Sequence, residues 1–159
     1  MLTSRTGIQN GYQKLRTDLW KSYGVEVVII SGKDSSNRDD CQFIIETAAK
    51  MAPIDGIFNL AVALKDSVWN NQTPETFEES FRAKAWTTKH LDEISRKLCP
   101  ELRNFVVFSS VSCGRGNAEQ TNYGMSNSVS FFSYLHIETL LIPFFLTIML
   151  IITGNGKNL

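Results

Sequence analysis

The sequence has little of three features that mark particular protein classes: cysteine, excess charge and internal repetition. Its three cysteines are odd in number and widely scattered, which excludes a disulfide framework and a cysteine-based metal site. Sixteen basic and sixteen acidic residues balance to a formal charge of zero, so no basic excess is available to neutralise the phosphates of a nucleic acid. With 159 residues, the chain fits one domain. We expect no metal and no nucleic acid partner.

Two further absences limit location and ligand binding. No apolar signal-peptide core stands at the N terminus, and the free cysteines suit a reducing compartment, so we expect a cytoplasmic protein. No G-x-G-x-x-G run occurs; Gly114 and Gly116 give a loop that can approach a ligand closely, but they do not form a phosphate cradle.

What is present is an alternation of two periodicities. Short apolar runs predict strands, and longer runs with apolar residues every three or four positions predict helices. Thr73 and Pro74 are a typical helix start, and Pro100 ends that helix. The predicted strands are 25–30, 54–62 and 105–108, and the predicted helices are 9–23, 37–51, 74–99 and one beginning near Gln120 or Thr121. Such alternation predicts an α/β fold, a parallel sheet with helices on both faces.

Lys84 lies on the apolar stripe of the predicted 74–99 helix, between Phe81 and Thr88. A lysine on the core side requires a reason, because burying an unpaired ammonium is costly. The alternative is a lysine whose stem lies on apolar surface and whose head group reaches water.

Ser110 ends a predicted strand, and Tyr123 follows at the start of a predicted helix, with Asn127 one turn beyond on the same face. A tyrosine can give a proton to a carbonyl oxygen that is being reduced, and a nearby ammonium favours the phenolate that remains. A serine can hold the same oxygen by a hydrogen bond. Taken singly, each residue also fits a structural role, and Ser109 competes with Ser110.

Four strings resemble the ketoreductase domain of animal-type fatty acid synthases, in the short-chain dehydrogenase/reductase superfamily: LTSRTG (2–7), FNLAVALKD (58–66), NQTPETF (71–77) and FSSVSCGRGNA…QTNYG (108–124). Ordinary members of the superfamily carry a lysine where Asn127 stands. The exchange of that lysine for one upstream, here Lys84, is typical of synthase ketoreductases. Modular polyketide synthases are the second match.

The resemblance implies a catalytic set of Lys84, Ser110, Tyr123 and Asn127, with the serine chosen by its spacing to the tyrosine. It also implies NADPH as cofactor, because Arg5 stands where the family contacts the 2′-phosphate; the alternative is an exposed arginine without a role. The residues implied to bind the cofactor are Ser4, Arg5, Lys33, Asp34, Asn59, Leu60 and Ala61.

The implied reaction is reduction of a β-ketoacyl thioester on an acyl carrier protein, beside other domains of a fatty acid synthase. A polyketide synthase ketoreductase and a non-catalytic, membrane-attached remnant are the alternatives. The fold implied is a partial Rossmann-like, doubly wound parallel sheet that lacks the first strand and glycine-rich turn. We therefore expect the strands beside the missing one to be unpaired, and the chain alone to bind NADPH poorly and to turn over negligibly.

The resemblance divides the chain into an incomplete ketoreductase domain, 1–128, and a divergent apolar tail, 129–159. The run LLIPFFLTIMLII at 140–152 is shorter than the ~20 residues that span a bilayer, and Pro143 interrupts it. Three interpretations stay open: a sequence foreign to the domain, a buried or oligomer-forming segment, and, as the weaker alternative, a membrane contact through 137–153.

Overall fold

The computed structural model describes residues 1–132 and 149–153. Strands and helices alternate through most of this range, as the sequence predicts. The strands are β1 (Leu2–Thr3), β2 (Ile29–Ile30), β3 (Ile54–Asn59), β4 (Asn104–Val107) and β5 (Met149–Thr153). The helices are α1 (Gly11–Ser22), α2 (Arg38–Met51), α3 (Pro74–Phe81), α4 (Thr87–Leu98), α5 (Ser112–Arg115) and α6 (Thr121–Phe132), with a π-helical segment at Arg82–Trp86 and a 3-10 turn at Trp69–Asn71.

The helix starts follow local capping chemistry. The Asn37 side chain accepts hydrogen bonds from the first backbone N–H groups of α2. Thr73 and Thr76 cap α3 reciprocally, and Pro74 occupies its first turn, which confirms the predicted start. The prediction of a buried strand over 25–30 is largely wrong: only Ile29–Ile30 forms a strand, these two residues are partly buried, and Val25 is exposed.

The sheet has the order β2-β1-β5-β3-β4. β1 is parallel to β2, and β3 is parallel to β4. β5 lies between the two pairs and runs antiparallel to both β1 and β3, with Leu150 opposite both Leu2 and Phe58. The expectation that the inner strands would be unpaired is therefore wrong, since a strand from the tail satisfies their backbone hydrogen bonds.

The position of β5 bears on the three interpretations of the tail. Residues 149–153 are incorporated in the sheet, which supports a segment that belongs to the fold. The rest of the tail from residue 133, and so most of the proposed 137–153 membrane contact, lies outside the described residues. Within the described part of the chain, no helix has the length and apolarity to cross a membrane.

The core lies between the sheet and the helices α2 and α4. Ile44 and Ile45 of α2, Leu91 of α4 and Ile57 of β3 are completely buried. β1, β2, β3 and β4 all point the same way, so the loops that follow them meet at one edge of the sheet. In sheets of this kind, ligands bind at the carboxyl ends of the strands.

Candidate active site

Lys84 is a buried charged residue at this edge of the sheet. Its side chain is 3% exposed, and its Nζ donates a hydrogen bond to the backbone oxygen of Phe108 at 2.5 Å. Phe108 directly follows β4, so the ammonium lies where that strand ends. Burial lowers the pKa of Lys84 to about 8. The prediction that this lysine faces the interior is confirmed.

A π-helical segment positions Lys84. Between α3 and α4 the helix widens over Arg82–Trp86, and the Thr87 hydroxyl donates to the Arg82 carbonyl at 3.0 Å. Segments of this kind are rare and concentrate at functional sites. Here Lys84 reaches toward β4, while the preceding Arg82 and Ala83 line a cavity.

Ser110 lies in a small network of polar side chains after β4. Its hydroxyl donates to the Ser112 hydroxyl at 3.2 Å and accepts from the Ser112 backbone N–H at 3.2 Å. Ser112 in turn donates to Gln120 at 3.0 Å. The competing Ser109 is buried and donates to the sulfur of Cys113 at 3.8 Å. Ser110 is only partly buried, so it is more accessible than Ser109.

Tyr123 and Asn127 lie one turn apart on α6. The Asn127 amide donates to the Tyr123 backbone oxygen at 2.8 Å. Its Oδ1 is completely buried and has no hydrogen-bond partner among the described residues. An unsatisfied buried acceptor is costly, so this atom is suited to accept from a group that arrives with a ligand or water. The Tyr123 hydroxyl forms no hydrogen bond within residues 1–132 and 149–153, and its ring is partly buried.

The packing of α6 brings together the elements that carry or adjoin the four residues. α6 packs against α3, α5 and the π-helical segment, so Tyr123 and Asn127 lie on the helix next to the one that carries Lys84. α5 connects this arrangement to Ser110. Apart from the Asn127–Tyr123 backbone contact, no direct hydrogen bond joins the four in the described structure.

Gly124 allows α6 to approach α5 closely. A Cβ at this position would lie 2.8 Å from the backbone oxygen of Ser112, closer than a Cβ atom approaches a neighbouring atom in proteins. We expect Gly124→Ala to lower the free energy of unfolding by about 1–3 kcal/mol, the usual cost of overpacking. Urea unfolding followed by circular dichroism measures this.

Gly114→Ala in α5 is the matched control, because nothing lies within 4 Å of the added carbon. It should leave the unfolding midpoint unchanged or raise it. Equal midpoints for the two variants would contradict close packing of α5 on α6.

A cavity of about 670 Å³ opens at the carboxyl ends of β1, β2 and β3. Five of the seven residues expected to bind a cofactor line it: Ser4, Arg5, Lys33, Asp34 and Ala61. Asn59 does not line the cavity. It is completely buried, donates to Thr88 at 2.9 Å and accepts from the Ala61 N–H at 3.0 Å. Its side chain therefore connects the end of β3 to α4 and to the loop that follows β3. Leu60 is likewise not among the lining residues.

The lining gives the cavity the donors that a phosphate-bearing nucleotide requires. Arg5 forms no ion pair with any described residue, so its guanidinium is available to an anion. These features fit the adenosine phosphate half of a dinucleotide. No group of three or more His, Cys, Asp or Glu side chains suited to a metal ion occurs in the described part of the chain.

Two participants could not be found from sequence patterns. The Phe108 carbonyl that holds Lys84 is a backbone group and carries no residue signature. Arg82 lines the cavity from the first position of the π-helical segment, and no sequence pattern indicates that segment. Gln120, which links Ser112 to Asp66, could have been suspected as a polar residue beside a predicted helix start.

A family model for the KR domain matches residues 1–133, most of the chain. The chain belongs to the KR domain family. That assignment confirms the expected superfamily and the Rossmann-like fold, with β5 as an added antiparallel strand.

Individual relatives agree with the family. A highly reducing polyketide synthase, calA, from Penicillium decumbens is 36% identical over 111 residues, covering 68% of this chain and 4% of the relative. A ketoreductase domain from the bacillaene assembly line superposes with a TM-score of 0.75 at 29% identity, over 84% of this chain and 32% of that one. A 3-oxoacyl (acyl-carrier-protein) reductase from Agrobacterium tumefaciens, solved with NADP bound, shares the fold at TM-score 0.67 and 16% identity, over 81% of this chain and 50% of that one.

The KR domain chain spans half or less of each of these proteins. The named synthase relative makes polyketides, so the coarser prediction, a KR domain of a modular synthase type, is confirmed. The finer assignment to animal fatty acid synthases stays a prediction, as do the individual site residues.

Proposed function

We propose that this KR domain chain reduces a β-ketoacyl thioester, held on an acyl carrier protein, with NADPH. The observation that carries this proposal is the buried Lys84 ammonium at the end of β4, on the helix against which the helix of Tyr123 and Asn127 packs. A lysine this deeply buried, whose one hydrogen bond among the described groups is to a carbonyl, is costly to keep for structure alone. Such cost is typical of a functional group.

Each of the four residues has a separate role in ketone reduction. When bound, NADPH supplies the hydride that forms the new C–H bond at the ketone carbon. The Tyr123 hydroxyl gives its proton to the ketone oxygen, and the Ser110 hydroxyl donates a hydrogen bond to that oxygen. The Lys84 ammonium stabilises the phenolate left behind, and the free Oδ1 of Asn127 holds a water through which the proton returns.

The cavity at the ends of β1 to β3 would hold the adenosine half of the cofactor. Arg5 would bind the 2′-phosphate and so select NADPH over NADH, because a guanidinium forks onto phosphate oxygens. Lys33 and Asp34 would flank the adenine. Because the 159 residues contain no glycine-rich phosphate turn, we expect weak affinity for the whole dinucleotide and slow turnover.

Two synthase types remain candidates. The strings SSVSCGRGNA and NQTPE favour a fatty acid synthase, whose reductase works beside the other domains of one polypeptide in the cytoplasm. The polyketide synthase relative favours a polyketide assembly line. Sequencing the full transcript from both ends decides between them, since the two types differ in the domains that flank the reductase.

The reaction itself is tested with an acetoacetyl-pantetheine thioester and NADPH deuterated at the nicotinamide C4. Mass spectrometry after long incubation at millimolar NADPH detects slow turnover that absorbance would miss. We expect 3-hydroxybutyryl thioester carrying one deuterium in the presence of the chain and none without it. No labelled product above the protein-free control would reject the proposed activity for this chain and favour a non-catalytic role.

Tyr123→Phe removes the proton donor and nothing else. We expect labelled product to fall at least ~100-fold, the usual contribution of a general acid. Tyr12→Phe is the matched control, because Tyr12 is 69% exposed on α1, and it should keep the parent rate. Equal rates for the two variants would show that Tyr123 is not the proton donor.

A further inference from the structure

The cavity at the ends of β1 to β3 carries more positive than negative charge. Four basic and two acidic side chains line it: Arg5, Lys33, Lys65, Arg82, Asp34 and Glu79. Lys33 is paired with Asp40 at 2.7 Å, outside the lining, and Lys65 with Glu79 at 2.8 Å. Three charged groups of the lining take no part in these two pairs: the guanidiniums of Arg5 and Arg82 and the carboxylate of Asp34.

Both arginines lower the pKa of the Asp34 carboxyl. Burial would raise the pKa of this carboxyl, but hydrogen bonds from the Ser36 hydroxyl and N–H, then the charges of Arg82 and Arg5, outweigh it and hold the pKa below its usual value. The Arg82 guanidinium lies 3.1 Å from the Asp34 carboxylate. In the lining of the cavity, Asp34 therefore pairs directly with Arg82, and the charge of Arg5 acts on it without an ion pair between the two.

Arg82 is held loosely enough to change partner. About half of its side chain is exposed, and within the described residues its guanidinium makes one other hydrogen bond, from Nε to the Ser36 hydroxyl at 3.2 Å. An exposed ion pair of this kind has little net stability. A phosphate monoester offers two negative charges and three acceptor oxygens, more than a single carboxylate, and can take both guanidiniums at once.

We propose that Arg82 is a second phosphate-recognising residue, which leaves Asp34 and joins Arg5 on the 2′-phosphate of the nucleotide. Asp34 is then a built-in counter-ion that pairs with Arg82 in the empty cavity and competes with the incoming phosphate. This inference rests on the proposed use of NADPH and adds to it a specificity residue that comes from the helix carrying Lys84.

Isothermal titration of the whole chain with adenosine 2′,5′-bisphosphate and with 5′-AMP tests this without the nicotinamide half or turnover. The two probes differ by the 2′-phosphate alone. We expect the parent chain to prefer the bisphosphate by about tenfold or more, the effect of charged hydrogen bonds to phosphate. Arg82→Gln and Arg5→Gln should each reduce that preference by about three- to tenfold.

Two further variants keep the test independent of folding damage. Asp34→Asn removes the competing charge but retains the oxygen that accepts from Ser36, so bisphosphate affinity should rise about threefold or more. Arg103→Gln is the matched control: Arg103 also pairs with an aspartate, Asp55, but at the opposite end of β3, so the preference should not change.

The outcomes separate this inference from the proposed function. If Arg5→Gln loses the preference while Arg82→Gln and Asp34→Asn leave it unchanged, Arg82 has no role in recognition, and the assignment of NADPH stands. If the parent chain binds both probes equally, the role of Arg82 and the use of NADPH are both overturned.

Discussion

Replacing Lys84 by methionine is expected to stop the reaction and, at neutral pH, to make the protein more stable. Methionine fills a similar volume but carries no charge, so the burial cost of the ammonium disappears. The same charge is what the proposed mechanism needs beside the Tyr123 phenolate. We expect labelled product to fall at least ~100-fold, the size typical of a lost electrostatic contact at a reacting group.

The stability effect has a defined dependence on pH. The lysine pKa is 10.5 in the unfolded chain and about 8 in the fold, a difference worth roughly 3 kcal/mol at ~1.4 kcal/mol for each factor of ten. Below pH 8 both states hold the proton, and this cost is fully present. Between pH 8 and 10.5 the folded state releases its proton first, so the stability of the parent protein rises with pH.

Urea unfolding at pH 7 and pH 9.5 measures both consequences. At pH 7 the Lys84→Met chain should be more stable by about 1–2 kcal/mol, because loss of the Phe108 hydrogen bond offsets part of the gain. By pH 9.5 the parent should have recovered roughly 2 kcal/mol relative to the variant. Lys14→Met, at an exposed position on α1, should show neither effect. A Lys84→Met chain that is less stable at pH 7, with no pH dependence relative to the parent, would mean that Lys84 is not buried as described.

Ile151→Pro is expected to cause the largest loss of stability among these variants. Ile151 lies in β5 opposite Ile57, in the middle of the sheet. Proline cannot donate a backbone hydrogen bond and is not tolerated in a central strand, where it costs about 3 kcal/mol or more. Because β5 pairs with both β1 and β3, its loss also exposes two strand edges.

Urea unfolding and amide hydrogen exchange test the position of β5. Ile151→Pro should lower the free energy of unfolding by at least ~3 kcal/mol and remove exchange protection in β1 and β3. Ile151→Val is the matched control, since valine keeps a β-branched side chain and the backbone donor, and it should cost no more than about 1.5 kcal/mol. Unchanged protection of β3 in the proline variant would show that β5 does not pair with it.

Much of this fold could be predicted from local patterns. Apolar periodicity placed α2, α4 and β3, and the Thr73–Pro74 pair fixed the start of α3, because these signals depend on neighbouring residues. The same periodicity placed Lys84 on the inner face of its helix. Resemblance to the family then connected that lysine to Ser110 and Tyr123, which no local rule could do.

The remaining features depend on contacts between distant residues. The π-helical segment departs from the regular helical period over residues 82–86, and no local pattern indicates this departure. β5 is defined by partners near residues 2 and 57, and an apolar run gives no indication of which strands it will join. Tyr12 and Leu15 lie at helical spacing yet are exposed on α1, so periodicity identified that helix without showing what it packs against.

The order in which the strands emerge from the ribosome has a consequence for this sheet. β5 is the last strand of the described chain to be synthesised, yet its place is in the centre. Until β5 is synthesised, no strand joins the β1–β2 pair to the β3–β4 pair, and the sheet stays incomplete. A contact between strands almost 150 residues apart in sequence forms slowly and leaves strand edges open to other nascent chains. Yield of the protein in cells should therefore depend on chaperones that shield those edges during translation.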